Sequence, residues 1–260
     1  MISPVRVGLI SEGEAELGTS VPFIYDPKQG GKVIEREHEG ALHTLIRREL
    51  LEAGLPDCVF VQRHRTSMDN AWRLRMGSSV INPKYLAQTV IAWKPAEVDI
   101  IVVVVDEDEN PVLREREINT ARAIIIERHI DNDGNRIHGK HAIGIAVKSF
   151  DTWLIADSAS VQELLKVTLP DLPFDLETLP GESANPTHGK SLLDAAISTS
   201  TYAPQNPRVK NIALEARWEL AHVAKLADIR ERCKRGYFKF VTDLLAAVQY
   251  HIQGYNIDAS

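Results

Sequence analysis

Val98-Asp99-Ile100-Ile101-Val102-Val103-Val104-Val105-Asp106-Glu107-Asp108-Glu109-Asn110-Pro111 is the stretch that decides the fold. Two isoleucines followed by four consecutive valines leave no position for a face in water, so residues 98–105 predict a central parallel strand covered on both sides. The apolar run stops abruptly in acids, and a helix is predicted from about residue 112 to 129. Outward from this strand, residues 5–10 form a short apolar run ending in Ser11-Glu12-Gly13, a buried strand that feeds a turn. Residues 58–62 and 142–147 read as further strands. Leu42, Leu45, Ile46 and Leu50 recur at helical spacing within residues 38–53, and Gly54 stands where a helix C-cap belongs. Residues 83–93 predict a second helix with Pro83 in its first turn. Strands that alternate with helices imply crossover connections and a parallel sheet.

Other stretches are less regular. Residues 19–32 carry Pro22, Pro27 and Gly30-Gly31 and read as a loop, while residues 63–82 hold no decisive pattern. The 142–147 strand runs through Lys148-Ser149-Phe150-Asp151-Thr152-Trp153 into an apolar segment ending at Asp157. Pro170, Pro173, Pro180 and Pro186 then punctuate a loop-rich stretch, and helical periodicity dominates residues 190–252. The expected architecture is an α/β domain over residues 1–168, a parallel sheet flanked by helices, with a helical C-terminal subdomain over residues 169–260 packed on it.

Composition narrows the function classes. With 44% hydrophobic and 25% charged residues in 260, disorder is not expected. A net charge of −6 means that the mean field does not draw the chain to a phosphate backbone, so any nucleic-acid contact must come from a local basic patch. Cys58 and Cys233 are far apart and in no metal-ligand spacing, which fits a reducing compartment. The N-terminus lacks a basic segment followed by an apolar one, and no window approaches roughly 18 consecutive apolar residues. The expectation is a soluble cytoplasmic protein with no membrane partner.

Three predicted strands end in acids: Glu12 after the first, Asp106 and Asp108 after the central one, and Asp151 just beyond the last. In an open parallel sheet, ligands collect outside the carboxyl ends of the strands. Carboxylates crowded there repel one another unless a divalent cation neutralises them, and oxygen-only donors favour Mg²⁺ or Mn²⁺ over zinc. Taken singly, each acid has an ordinary alternative as a turn or helix N-cap residue. It is the convergence of three strand ends that points to a site.

Ser11-Glu12-Gly13-Glu14-Ala15-Glu16, Asp106-Glu107-Asp108 and Ser149-Phe150-Asp151-Thr152-Trp153-Leu154-Ile155-Ala156-Asp157 occur in this order along the chain. The set resembles the DUF4276 branch of TOPRIM-like proteins, with its EGxTE-like start, DxD-like centre and EAWLLAD-like segment. The helical tail is similar too, in Asn185-Pro186 with Lys190, in Tyr202, and in Ile229-Arg230-Glu231-Arg232-Cys233 leading to Phe238 and Phe240. TOPRIM folds are shared by topoisomerases, primases and OLD-type nucleases. The resemblance therefore implies a carboxylate-bound Mg²⁺, phosphodiester chemistry on DNA or RNA, and a role in defence against phage. Glu12 becomes a metal ligand or general acid/base, Asp106 and Asp108 hold the metal, and Lys190 contacts phosphate beside them. Glu16 and Asp157 become further metal or outer positions. Asp151 stands where the family has glutamate, and Ala15 where it has threonine. A second reading is a non-catalytic module that binds nucleic acid or a partner ATPase, with an oligomer open in either case.

Other signals are weaker. Residues 184–191 match a relaxed phosphate-loop pattern, yet the proline, glycine and acids before them do not make the buried strand such a loop needs. Arginines 63 and 65, 73 and 75, and the group Arg230, Arg232, Lys234 and Arg235 are candidate backbone contacts, or solvated faces. Tyr237, Phe238 and Phe240 beside the last group read as core more than as stacking platforms. His129, His138 and His141 flank Asp131-Asn132-Asp133-Gly134-Asn135, which reads as a polar turn and not as a metal nest.

Overall fold

A computed structural model describes residues 3–18, 24–26, 32–34, 39–69, 74–94, 97–136, 139–203 and 211–258. The chain runs through β1 (Val5–Ser11), α1 (Glu14–Leu17), β2 (Ile24–Asp26), β3 (Lys32–Ile34), α2 (Ala41–Glu52), β4 (Cys58–Val61), α3 (Pro83–Ala92), β5 (Ile100–Asp106), α4 (Pro111–Arg128) and β6 (His141–Ala146). There follow α5 (Phe150–Leu154), α6 (Ser158–Leu165), α7 (Gly189–Thr199), α8 (Ile212–Val223), α9 (Leu226–Arg232), a π-helical turn (Lys234–Phe238) and α10 (Lys239–Asp258). The fold is α/β, as its alternating pattern predicts.

Four strands form a parallel sheet in the order β4-β1-β5-β6. β1 and β5 are its inner strands, with Ser11 of β1 level with Val104 of β5 and Ala146 of β6 level with Asp106 of β5. Side chains of β5 alternate between two cores, which is why its sequence shows no polar face. Ile100, Val102 and Val104 join Val5, Val7 and Leu9 on one side, under α2 and the C-terminal helices. Ile101, Val103 and Val105 join Ile10 on the other, under Tyr85, Leu86 and Val90 of α3 and Ile118, Ala121 and Ile125 of α4. Each fully buried aliphatic of this kind contributes roughly 1.5–3 kcal/mol.

Local chemistry sets the helix ends. Asn82 caps α3 by accepting the N–H groups of Lys84 (3.1 Å) and Tyr85 (3.4 Å), and Pro83 fills the first turn, where no N–H is needed. Asn110 accepts the Leu113 N–H at 3.0 Å and starts α4 the same way. Gly54, at φ +66°, takes the left-handed position after α2.

Two stretches differ from expectation. In place of an unbroken loop over 19–32, β2 pairs antiparallel with β3, which begins at Lys32. Residues 19–23 and 27–31 of that loop lie outside the described residues. Within 63–82, residues Gly77–Ile81 form a 3₁₀ turn that leads into α3.

The C-terminal helices bury Trp218, Leu220, Tyr237, Phe240 and Leu244 in the same core as β1 and α2. At its centre Trp153 stacks on Phe240 with ring centroids 5.8 Å apart and meets Tyr237 edge-on at 5.0 Å. Phe240 lies directly over Gly144 of β6, where a Cβ would come within 2.9 Å of its ring. The absent side chain is what lets α10 approach the sheet. Gly144→Val should therefore displace Phe240 and destabilise the fold by about 1–3 kcal/mol, seen as a lower urea midpoint with an unchanged m-value.

Candidate functional site at the carboxyl edge of the sheet

The strand order reverses between β1 and β5, since the chain leaves β1 for β4 on one side and comes back to β5 on the other. Crossover helices diverge at such a point and open a crevice beyond the strand ends. Glu12, one residue past β1, and Asp106, the last residue of β5, flank that crevice. The Asp106 backbone N–H donates to Glu12 Oε1 at 3.3 Å, and the Phe150 N–H at the start of α5 donates to Asp106 Oδ1 at 2.7 Å. The ends of β1 and β5 and the turn after β6 are thus tied together through two carboxylates. Glu16 is buried in α1, and its Oε2 has no hydrogen-bond partner among the described residues.

Burial dominates the electrostatics. The Glu12 carboxyl is pushed up from 4.5 to about 7 by loss of water, with Arg114 pulling against this and Asp108 adding to it. Glu16 is likewise pushed up to about 7, first by burial and then by the charges of Asp151 and Glu12. Asp106 rises well above its ordinary value through burial and the repulsion of Glu16 and Glu12. Three acids raised together in this way form a group short of positive charge.

The remaining predicted acids are already compensated. Asp108 turns onto the buried Arg114, whose Nη2 lies 2.5 Å from Asp108 Oδ2 and 3.8 Å from Glu12 Oε1, while its Nη1 is 3.1 Å from Glu117. Asp151 is gripped by Arg217 through Nε at 2.8 Å and Nη2 at 2.9 Å, a buried two-pronged pair that also reaches Asp194 at 2.6 Å. Asp157 lies apart from this group: it caps α6 through the Ser160 N–H (3.2 Å) and hydroxyl (2.5 Å) and accepts the Lys225 N–H at 2.9 Å. Its place in the apolar segment is that of a joint between α6 and the start of α9.

Asp106 and Asp108 both line a cleft of about 550 Å³, together with Glu107, Arg114, Lys148, His188 and Lys190. Lys190, predicted from the tail, is thus brought from α7 to the same cleft. Two of its lining residues are non-glycines in the left-handed region, Asp108 at φ 56° and Lys148 at φ 69°. Backbone strain of this kind persists only where surroundings impose it, and it clusters at sites.

Arg114, Arg217, Lys148 and His188 went unnoticed in sequence. Arg217 sits in the buried run Glu215-Ala216-Arg217-Trp218, and a buried arginine calls for a partner, but no local pattern names an aspartate 66 residues earlier. Several of the arginines read as backbone contacts or solvated faces are engaged within the fold. Arg230 pairs with Glu49 and Glu52, Arg232 bonds the carbonyls of Ala156, Pro173 and Phe174, and Arg235 bonds Glu177. Arg63 is buried, with its guanidinium over the Tyr85 ring, and Arg73 lies outside the described residues. Residues 184–191 follow the 3₁₀ turn Leu176–Thr178 and not a strand, and His188 caps α7. Asp131 closes its turn by accepting the N–H groups of Asp133 and Asn135; His129 is buried against the Val98 carbonyl, and His138 lies outside the described residues.

The donor chemistry of Glu12, Glu16 and Asp106 suits a hard divalent cation, and the unpartnered Glu16 oxygen is where such an ion would be welcome. As the side chains stand, no group of three or more His, Cys, Asp or Glu among the described residues is arranged to hold a metal ion. Among those residues no helix is long and apolar enough to cross a membrane. No family model, curated protein or solved structure matches the chain.

Two outcomes are expected. Arg217→Met leaves Asp151 buried without its partner and should cost about 3–5 kcal/mol by urea denaturation, while adding Asp151→Leu should recover most of it. Because Glu12 and Glu16 titrate near 7 folded and near 4.5 unfolded, the native state binds more protons than the unfolded one across that window. Stability should therefore fall as pH rises from 4.5 to about 7 and level off above, and Glu16→Gln should flatten that slope when urea midpoints are compared.

Proposed function

We propose that the crevice between β1 and β5 takes a divalent cation, Mg²⁺ or Mn²⁺, and serves cleavage or transfer at phosphodiester bonds of nucleic acid. The observation that carries this reading is the uncompensated trio of Glu12, Glu16 and Asp106 beside a cleft whose other lining includes Lys148 and Lys190. A bound cation supplies charge neutralisation, polarises a phosphate oxygen and lowers the pKa of a bound water. Asp106 is aimed by the Phe150 N–H and anchors the trio. Glu12, titrating near 7, is suited to take or give a proton at neutral pH. Lys190 stands exposed at the cleft, where a phosphate would meet it. The TOPRIM-like resemblance adds a cellular setting, an effector in defence against phage.

A second reading is favoured by the two arginines. Arg114 and Arg217 already neutralise Asp108 and Asp151, two of the acids that the resemblance assigns to metal. A chain with those positions filled fits a module that binds nucleic acid without cutting it, or that works with a partner ATPase.

One experiment separates the two. DNA and RNA substrates are incubated with Mg²⁺ or Mn²⁺ and with EDTA, using the wild type, Asp106→Asn and Glu12→Gln. The catalytic reading expects metal-dependent cutting, abolished in Asp106→Asn and slowed on the order of 10²–10⁴-fold in Glu12→Gln. It also expects Mg²⁺ at pH 8 to stabilise the wild type, by about 2.7 kcal/mol at a hundred times Kd, and not Asp106→Asn. A folded protein that binds substrate and never cuts it supports the second reading.

A further inference from the structure

The lining of the cleft beyond the acid trio holds a construction that the acids do not explain. His188 is buried, 3% exposed, and lines the cleft between two lysines. Its Nδ1 accepts the Lys190 N–H at 3.3 Å, and the ring faces the backbone of Lys148. An imidazole whose Nδ1 accepts carries its proton on Nε2, which leaves that N–H for the Lys148 side of the ring. One ring therefore stands between residues 42 positions apart in the chain. Lys148 is held further by its left-handed backbone, φ 69°. The ammonium is 3.2 Å from Glu107 Oε2, yet that oxygen has no hydrogen-bond partner. Charge holds the lysine in place, and its N–H donors stay available to a ligand.

Lysine is a point charge suited to phosphate, and a chain of net charge −6 needs such charges placed locally if it is to hold a polyanion. A cleft of about 550 Å³ lies within the size range of sites for small ligands, so it holds a nucleotide-sized piece of a longer strand. We infer that Lys148 and Lys190, spaced by His188, form a backbone-phosphate subsite for a single nucleic-acid strand entering the cleft, with His188 as a positioning residue. This rests on the proposed function and extends it to the substrate.

The test is fluorescence anisotropy of labelled single-stranded DNA and RNA oligonucleotides with Ca²⁺ in place of Mg²⁺, over a salt series. Lys148→Met and Lys190→Met should each weaken binding on the order of tenfold and reduce the magnitude of the log–log salt slope by about 0.7. Lys148→Arg, which keeps the charge, should retain most of both. His188→Asn should lower the slope although it removes no formal charge, which a purely structural role would not do; thermal melts confirm that each variant is folded. Wild-type affinity and slope in Lys148→Met would overturn the subsite and leave the cation reading standing. A wild type that binds neither Mn²⁺ nor oligonucleotide would overturn both, and a mononucleotide that competes as well as the strand would overturn the assignment to a polynucleotide.

Discussion

The complete burial of β5 is the constraint from which the rest follows. A strand with Ile100 to Val105 apolar at every position is stable only between two layers, so helices must cover both faces of the sheet. The chain meets this by crossing from β4 over β1 to β5, and that reversal of direction opens the crevice at the strand ends. Asp106 is the residue at which the buried strand meets that crevice. It belongs to the ladder, level with Ala146, and therefore cannot swing away from the low-dielectric edge that raises its pKa.

Charge is compensated unevenly around that edge. Arg114 arrives from α4 on one face of the sheet and Arg217 from α8 on the other, and each settles on acids near the crevice. Both arginines are themselves buried, and so is Asp151: removing Arg217 leaves that carboxylate without water or its counter-charge, whereas Asp108 stays largely in water. Among the described residues, Glu12, Glu16 and Asp106 receive only the approach of Arg114 to Glu12, at 3.8 Å. The same fold that satisfies two aspartates leaves three neighbouring carboxyls raised above their ordinary pKa by burial, and such a contrast is what a poised site requires. The left-handed residues Asp108 and Lys148 mark the same edge from the side of the backbone.

Much of this was legible in sequence because it depends on local period and burial. A continuous β-branched run means a strand covered twice, a proline in the first turn fits a helix start, and a glycine after a helical stripe means its end; β5, α3 and α2 follow from these rules. Glu12, Asp106 and Lys190 were equally legible as strand-end or helix-start residues, and they lie at one edge. The hairpin of β2 and β3 was not, because two three-residue strands derive their order from each other and from no periodic pattern.

What sequence alone determined is where apolar runs stop, and hence which acids emerge from the sheet. What only the tertiary structure decided is which of those acids stay uncompensated. Asp108 looked equivalent to Asp106 two residues before it, and Asp157 looked like a member of the same set. Their difference arises from the partners that packing supplies: Arg114 claims Asp108, Arg217 claims Asp151, Lys225 and Ser160 claim Asp157, and among the described residues no arginine pairs with Asp106. An acid's role depends on the charges and water within a few ångströms of it, and that neighbourhood is set by packing across the fold.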